Sequence, residues 1–340
     1  MWRKTCAPGV RAVRSLRNRL LERRGDRVLH AAARPGCGRE WSSEAVRSEE
    51  DVKLKRQYLH ESSLFVTRPF CNTRMDFGGS GGKEQVPRKV AELVLARPRY
   101  KNAVSTQTVS ELRRHVQTLQ SGVGDDDVRV VLVRSDVAGV FSAGADLKER
   151  ASLPEQLQLE FTNAFRDVLQ ELSELPMPTV AAVDGYALGG GAEIALSCDI
   201  RIASASAVIG FPECSRGVLP GAGGCARLPH VLSPSRAKLL IFGGQPIDGR
   251  EAERCGLVDC VVDSSEMLLT EARKLCSRIA ENSPSAVQLA KKCLSAVERV
   301  DVGEALGLEK SFYSQTLNTK DRQEGIAAFN EKRKPVFTGQ

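Results

Sequence analysis

Two carboxylates and two glycine-bearing loops hold most of the chemistry this sequence offers. Glu193 stands in DGYALGGGAEIALSCD (184–199), just past three consecutive glycines, and Glu213 follows twenty residues later in IGFPECSRGVLPGAGG (209–224). Glu193 has apolar neighbours, Ala192, Ile194, Ala195 and Leu196. A buried carboxylate among such residues is costly unless something engages it. A carboxylate near a helix start is also favoured by the helix dipole, and Glu213 in a loop is equally readable as a solvated side chain. If the two faced one cleft, burial and mutual repulsion would split their pKa values, so that one could give a proton while the other takes one.

The glycines suggest backbone donors. Gly189, Gly190 and Gly191 precede a helix, whose first N–H groups have no partner within it. GVFSAGADLKER (139–150) follows a buried strand and presents small residues, Ala143, Gly144 and Ala145. Two N–H groups converging on one point make an oxyanion hole. Spacing alone also admits a plainer role, in which both runs only let a strand and a helix pack closely.

Other templates fail. Ser142 is not in a G-x-S-x-G elbow, because Val140 stands two residues before it. No G-x-G-x-x-G follows a strand with a suitable acid downstream. MDFGGSGGKEQ (75–85) misses the phosphate-loop pattern, with Phe77 in place of the first glycine and Glu84 after Lys83. The ten cysteines form no C-x-x-C pair, and His30, His60, His115 and His230 are isolated. They read as reduced thiols rather than a disulfide framework or a zinc site.

The elements that must position these groups are legible around them. LFVTRPF (64–70), KVAELVL, VRVVLVRS (128–135) and TVAAVDG read as strands, and DIRIASASAVIG as two short ones. TVSELRRHVQTLQ (108–120) and residues 154–175 have helical periodicity, the second ending before Pro176 and Pro178. SPSRAKLLIFGG is a helix with a proline start and a glycine stop. Strand and helix alternate from 88 to 262, which predicts an α/β fold with a mainly parallel sheet. The chain after 264 reads as helical.

The net charge of +7 is unevenly placed. Residues 1–34 carry ten basic and two acidic side chains, or +8, leaving −1 for residues 35–340. An Arg-rich, acid-poor start without a continuous apolar core has the composition of a mitochondrial transit peptide. Residues 35–60 read as a polar linker, 61–263 as an α/β core and 264–340 as a helical region. No apolar run reaches the ~20 residues of a membrane-spanning helix.

FSAGADLKER, DGYALGGGAEIALSCDIRIA, FPECSRGVLPGAGG and DRQEGIAAFNEKRKP, taken together, resemble the enoyl-CoA hydratase/isomerase (crotonase) family over residues 88–340. ADLKER and the last motif are most similar to mitochondrial enoyl-CoA hydratases of the branch that includes the AU-binding methylglutaconyl-CoA hydratase. The resemblance implies a spiral of ββα units with C-terminal helices that join subunits into trimers or hexamers. It implies that the N–H groups of Ala145 and Gly190 grip a thioester oxygen, and that Glu193 and Glu213 add water syn across the 2,3 double bond. Gly221 would shape the water site. Coenzyme A, as part of the substrate, would lie along Ala103, Ala143, Gly144, Asp146, Leu147 and Lys148, with Phe329 and Lys332 near it. No metal or redox cofactor is implied.

Isomerases of this family generally keep one of the two glutamates, so the pair favours hydration of a short or branched 2-enoyl-CoA in fatty-acid or branched-chain amino-acid breakdown, in the mitochondrial matrix. The alternatives are methylglutaconyl-CoA hydration, a Δ3-Δ2 isomerase, and RNA binding. A distal acyl carboxylate would need a cation, for which Arg150 and Arg216 are candidates. The RNA-binding branch uses a lysine-rich first helix, whereas here that helix has only Arg113 and Arg114, beside Glu111 and before Asp125 to Asp127. Strong nucleic-acid binding is not expected from so few cations. Where the family usually reads TQRL after the glycine turn, this chain reads Cys225-Ala226-Arg227-Leu228. That change, with Phe211 and Cys214 beside Glu213, is placed to alter acyl preference.

Overall fold

The computed structural model describes residues 65–71 and 89–340, apart from 123–126 and 299. All of these fall in one unit, 57–340. The expected transit peptide, the linker and nearly all of the 71–87 loop lie outside the described residues.

The chain enters through β1 (Phe65–Cys71) and β2 (Lys89–Leu95), then α1 (Thr106–Ser121), β3 (Val128–Ser135), β4 (Val140–Ser142), α2 (Leu147–Ser152) and α3 (Glu155–Ser173). It continues through β5 (Thr179–Val183), β6 (Tyr186–Leu188), α4 (Gly190–Leu196), β7 (Ile200–Ser204) and β8 (Val208–Gly210). A 3₁₀ turn (Pro212–Arg216) leads to α5 (Gly224–Val231), α6 (Pro234–Gly243), β9 (Ile247–Asp248), α7 (Gly249–Cys255) and β10 (Cys260–Val262). Four helices complete it: α8 (Ser265–Ala280), α9 (Pro284–Val297), α10 (Val302–Thr316) and α11 (Lys320–Asn330).

Two sheets result. The larger has the order β1-β2-β3-β5-β7-β10, and the smaller β4-β6-β8-β9. In the larger, β1 is antiparallel to β2 and the other pairs are parallel. In the smaller, β4, β6 and β8 run parallel and β9 antiparallel. Each of β3, β5 and β7 is followed by one strand of the smaller sheet and then by a helical segment. That repeated step is the ββα spiral.

The strands are apolar on both faces because both faces are covered. Leu93, Val131 and Val133 point into the main core with Leu112 and Val168. Their neighbours Val90, Val130 and Leu132 point the other way, onto Leu268, Ala272 and Cys276 of α8. Glu92 interrupts this pattern. It is buried in β2, and its carboxylate accepts from Arg134 and Arg273, each at 2.7 Å. Burial opposes its charge, but the two guanidiniums overcome that and hold its pKa below the usual value.

Of the smaller sheet, the sequence showed β8 as a short strand but not β4, β6 or β9. Strands of three residues, such as Val140–Ser142 and Tyr186–Leu188, are too short to display a period of two. Yet it is this sheet that delivers the loops of interest to one place.

Candidate active site

Ala145 and Gly190 come together by backbone geometry. Val104 and Ala145 form an isolated parallel bridge. The Val104 N–H donates to Gly144 O at 2.7 Å, and Val104 O accepts from the Asp146 N–H at 2.9 Å. In a parallel ladder the residue between those two bonds turns its own N–H the other way. The Ala145 N–H therefore faces away from Val104, toward the start of α4. Gly190 is the first residue of α4, so its N–H has no intrahelical acceptor. A Cβ added to Gly190 would lie 3.6 Å from Ala145 N, and one added to Gly144 would lie 3.3 Å from Gly190 N. Among the described residues neither N–H donates to a protein acceptor, and the two flank one small volume.

Each glycine of the triplet has its own neighbour. A Cβ at Gly189 would sit 2.7 Å from Glu213 Oε1, and the φ of +51° at this residue is itself unsuited to a side chain. A Cβ at Gly190 would meet the Phe165 ring at 3.0 Å. A Cβ at Gly191 would meet Ser142 O at 2.5 Å. Close packing and donor exposure thus hold in the same three residues.

Glu193 lies one turn into α4 and is 3% exposed. Its Oε1 accepts from the N–H groups of Ala222 and Gly224, each at 2.8 Å. Burial pushes its pKa up, and those two amides, then Arg227 and Arg166, pull it only part of the way back, so it stays above the usual carboxylate value. Glu213 sits in the 3₁₀ turn, half-buried, and its Oε2 has no hydrogen-bond partner among the described residues. Burial, with the Glu193 charge adding to it, raises its pKa to about 7. Burial shifts both carboxylates toward their neutral forms, but only Glu193 has oriented donors that oppose the shift, while Glu213 is pushed up to about 7.

Both glutamates and both amides line a single cavity of about 120 Å³. Ala143, Gly144, Leu147 and Gly221 also line it, as do Arg150 and Arg216. Arg150 donates to Thr162 Oγ1 at 3.2 Å and lies 5.5 Å from the Phe161 ring centroid. Gly221 is pressed against α3, where a Cβ would meet Thr162 Cγ2 at 2.7 Å.

The remaining expected contacts lie elsewhere. Ala103, half-buried, accepts from Arg97 through its carbonyl. Asp146 is buried, pairs with Arg97 at 3.1 Å and caps α2 through the Glu149 N–H. Lys148 is exposed. Phe329, 83% exposed, and Lys332 are at the end of α11 and outside the cavity wall.

Sequence reading missed the contribution of α3. Its Thr162, Phe165 and Arg166 face the Gly221 loop and Gly190. Their spacing marks the edge of an amphipathic helix, but nothing in it says which loop that edge meets. In the unusual Cys225–Leu228 segment, Leu228 is in the core and Arg227 donates to Ala222 O at 3.2 Å. Cys225 is exposed, and partial desolvation, then the Glu193 charge, raises its thiol pKa.

Two sheets wound in ββα steps, with paired amides and paired carboxylates at one cavity, define a crotonase-type protein. The enoyl-CoA hydratase/isomerase family model matches residues 85–340, and the chain belongs to that family. It is 43% identical over 273 residues to human mitochondrial enoyl-CoA hydratase domain-containing protein 2, covering 77% of this chain and 92% of that one. It is 40% identical over 260 residues to mouse mitochondrial methylglutaconyl-CoA hydratase, covering 76% of this chain and 82% of that one. Among solved structures, enoyl-CoA hydratase from Bacillus anthracis superposes with a TM-score of 0.73 at 36% identity, covering 82% of this chain and all of that one.

Proposed function

We propose that the protein is an enoyl-CoA hydratase acting on a short or branched 2-enoyl-CoA. The observation that carries this reading is the placement of Glu193, engaged by two backbone N–H groups, and Glu213, with one oxygen unengaged, on one cavity with two free backbone donors.

The thioester oxygen sits between the Ala145 and Gly190 N–H groups, which stabilise negative charge as it develops there. Glu193 takes a proton from water as the water oxygen bonds to C3. The C2–C3 π electrons move toward the thioester, giving an enolate. Glu213 then gives its proton to C2 as the enolate collapses. Both carboxylates work from one face, so addition is syn. Returning the proton from Glu193 to Glu213 resets the site. No step needs a metal or redox cofactor. Ala143, Gly144, Leu147 and Lys148 are the residues proposed to border coenzyme A, with Ala103, Asp146, Phe329 and Lys332 farther along its course.

Arg150 and Arg216 on the cavity wall favour a second reading of the acyl group, one ending in a carboxylate, as in methylglutaconyl-CoA. An isomerase would need only one of the two carboxylates, and the second argues against it. The Arg113 guanidinium is turned onto Ala164 O at 2.9 Å, which leaves α1 little cationic surface for RNA. The exposed apolar side chains of α9–α11, including Leu294, Val302, Leu306 and Tyr313, support assembly into trimers or hexamers. The mitochondrial names of the relatives and the Arg-rich start support a matrix location.

The test is hydration of crotonyl-CoA, followed by loss of its conjugated absorbance, beside a product assay with a 3-enoyl-CoA. Hydration of the first without shifting of the second is expected. Double-bond migration alone would overturn the reading.

A further inference from the structure

The Ala222 N–H that holds Glu193 belongs to the same peptide group as the Gly221 carbonyl. The N–H and C=O of a trans peptide point in opposite directions. Here the carbonyl accepts from Arg166 Nε at 2.9 Å, while the N–H donates to Glu193 Oε1 at 2.8 Å. A guanidinium, a peptide dipole and a carboxylate thus stand in line, each oriented to strengthen the next.

The next peptide is tied down as well. Arg227 donates to Ala222 O at 3.2 Å and, through its other nitrogen, to Gln170 Oε1 at 2.9 Å. Gln170 lies one turn beyond Arg166 on α3. The loop carrying both Glu193 donors is therefore strapped to α3 at two successive carbonyls.

We infer that Arg166 is a positioning residue for Glu193, acting through the Gly221–Ala222 peptide, with Arg227 as its support. Arg166 itself lies outside the cavity wall, so its effect passes through the loop. The charged and titratable groups near Glu193 are Arg166 from α3, Arg227 and Cys225 from α5, and Glu213 from the 3₁₀ turn. The kinetic part of the test rests on the hydratase reading, and the titration does not.

The experiment compares the full chain with Arg166→Met, which loses donor and charge, and Arg166→Gln, which keeps a neutral donor. Two quantities are measured: kcat for crotonyl-CoA hydration, and the carbon-13 NMR titration of the Glu193 carboxylate. In Arg166→Met, kcat should fall roughly tenfold with KM little changed, as for loss of one charge-assisted hydrogen bond. The Glu193 midpoint should move to higher pH, because the anion loses an oriented donor and a nearby cation. Arg166→Gln should recover part of kcat while its midpoint still lies above that of the natural chain. An unmoved midpoint in both variants, or equal kcat losses in the two, would overturn the inference. If Arg166→Met does not fold, the Arg166→Gln midpoint decides. If the natural chain hydrates nothing, the hydratase reading fails and the titration still decides the strap.

Discussion

Gly189 makes room for Glu213: a Cβ on the glycine would stand 2.7 Å from the glutamate's Oε1. The first glycine of the triplet thus serves a residue twenty-four positions further along the chain. Gly189→Ala should push the carboxylate off its place and strain a backbone at φ +51°. We expect a stability loss of about 2 kcal/mol and a fall in kcat of roughly 10²-fold, the usual scale for such strain and for a misplaced reacting group. Thermal melts and hydration assays check both, and an unimpaired kcat would show that Glu213 is not held by this contact.

Replacing Glu213 itself separates chemistry from stability. Glu213→Gln removes the proposed proton donor and should lower kcat by roughly 10²- to 10⁴-fold. In the natural chain, activity should decline as pH rises through about 7, where this carboxyl ionises. Stability follows the same group with a definite sign. Its folded pKa is raised, so the fold binds the proton more tightly than the unfolded chain does. The stability this group contributes is full below its unfolded pKa near 4.5 and is lost as pH rises through about 7. Glu213→Gln should therefore gain on the natural chain between those pH values and hold the gain above them. Parallel denaturant melts at pH 5 and pH 8 measure it, and a gain confined to pH 5 would contradict the assignment.

Arg150 offers a test of acyl preference. If a distal carboxylate meets it, Arg150→Met should reduce kcat/KM for methylglutaconyl-CoA by roughly 10²-fold and leave crotonyl-CoA nearly unchanged, since a buried charge pair loses a few kcal/mol when one partner goes. Equal losses on both substrates would place Arg150 against the coenzyme instead.

Far from the cavity, Glu92→Ala should take from Arg134, itself buried in β3, its buried partner and leave it only the more exposed Asp136. A loss of roughly 3 kcal/mol or more is expected in denaturant melts, as for other broken buried pairs, with kcat/KM retained. A neutral effect on stability would mean that water reaches Arg134 when the carboxylate is gone.

The large sheet was readable because strands such as VRVVLVRS hold an unbroken apolar run, Val130 to Val133, which points to a sheet covered on both faces. The pair of cavity glutamates was half readable. Glu193 stood out as a charge among apolar neighbours, but that its partners are the N–H groups of Ala222 and Gly224 depends on a loop folding back across some thirty residues. Glu213 taken alone reads as any loop glutamate, because nothing local distinguishes a rim carboxylate from a cavity one, and only the resemblance of its motif to the family marks it. Arg166 gave no signal at all, since its partner is a backbone carbonyl and any residue supplies one.

The two glutamates are embedded very differently, and this bears on how the family can change. Removing the Glu193 side chain would strand two inward-pointing N–H groups in the core, so the fold itself resists its replacement. Glu213 hangs from a short turn with one oxygen unengaged, so its loss leaves no orphan behind. Position 213 can therefore change at less cost to the fold than position 193, and new reactions on this scaffold should begin there.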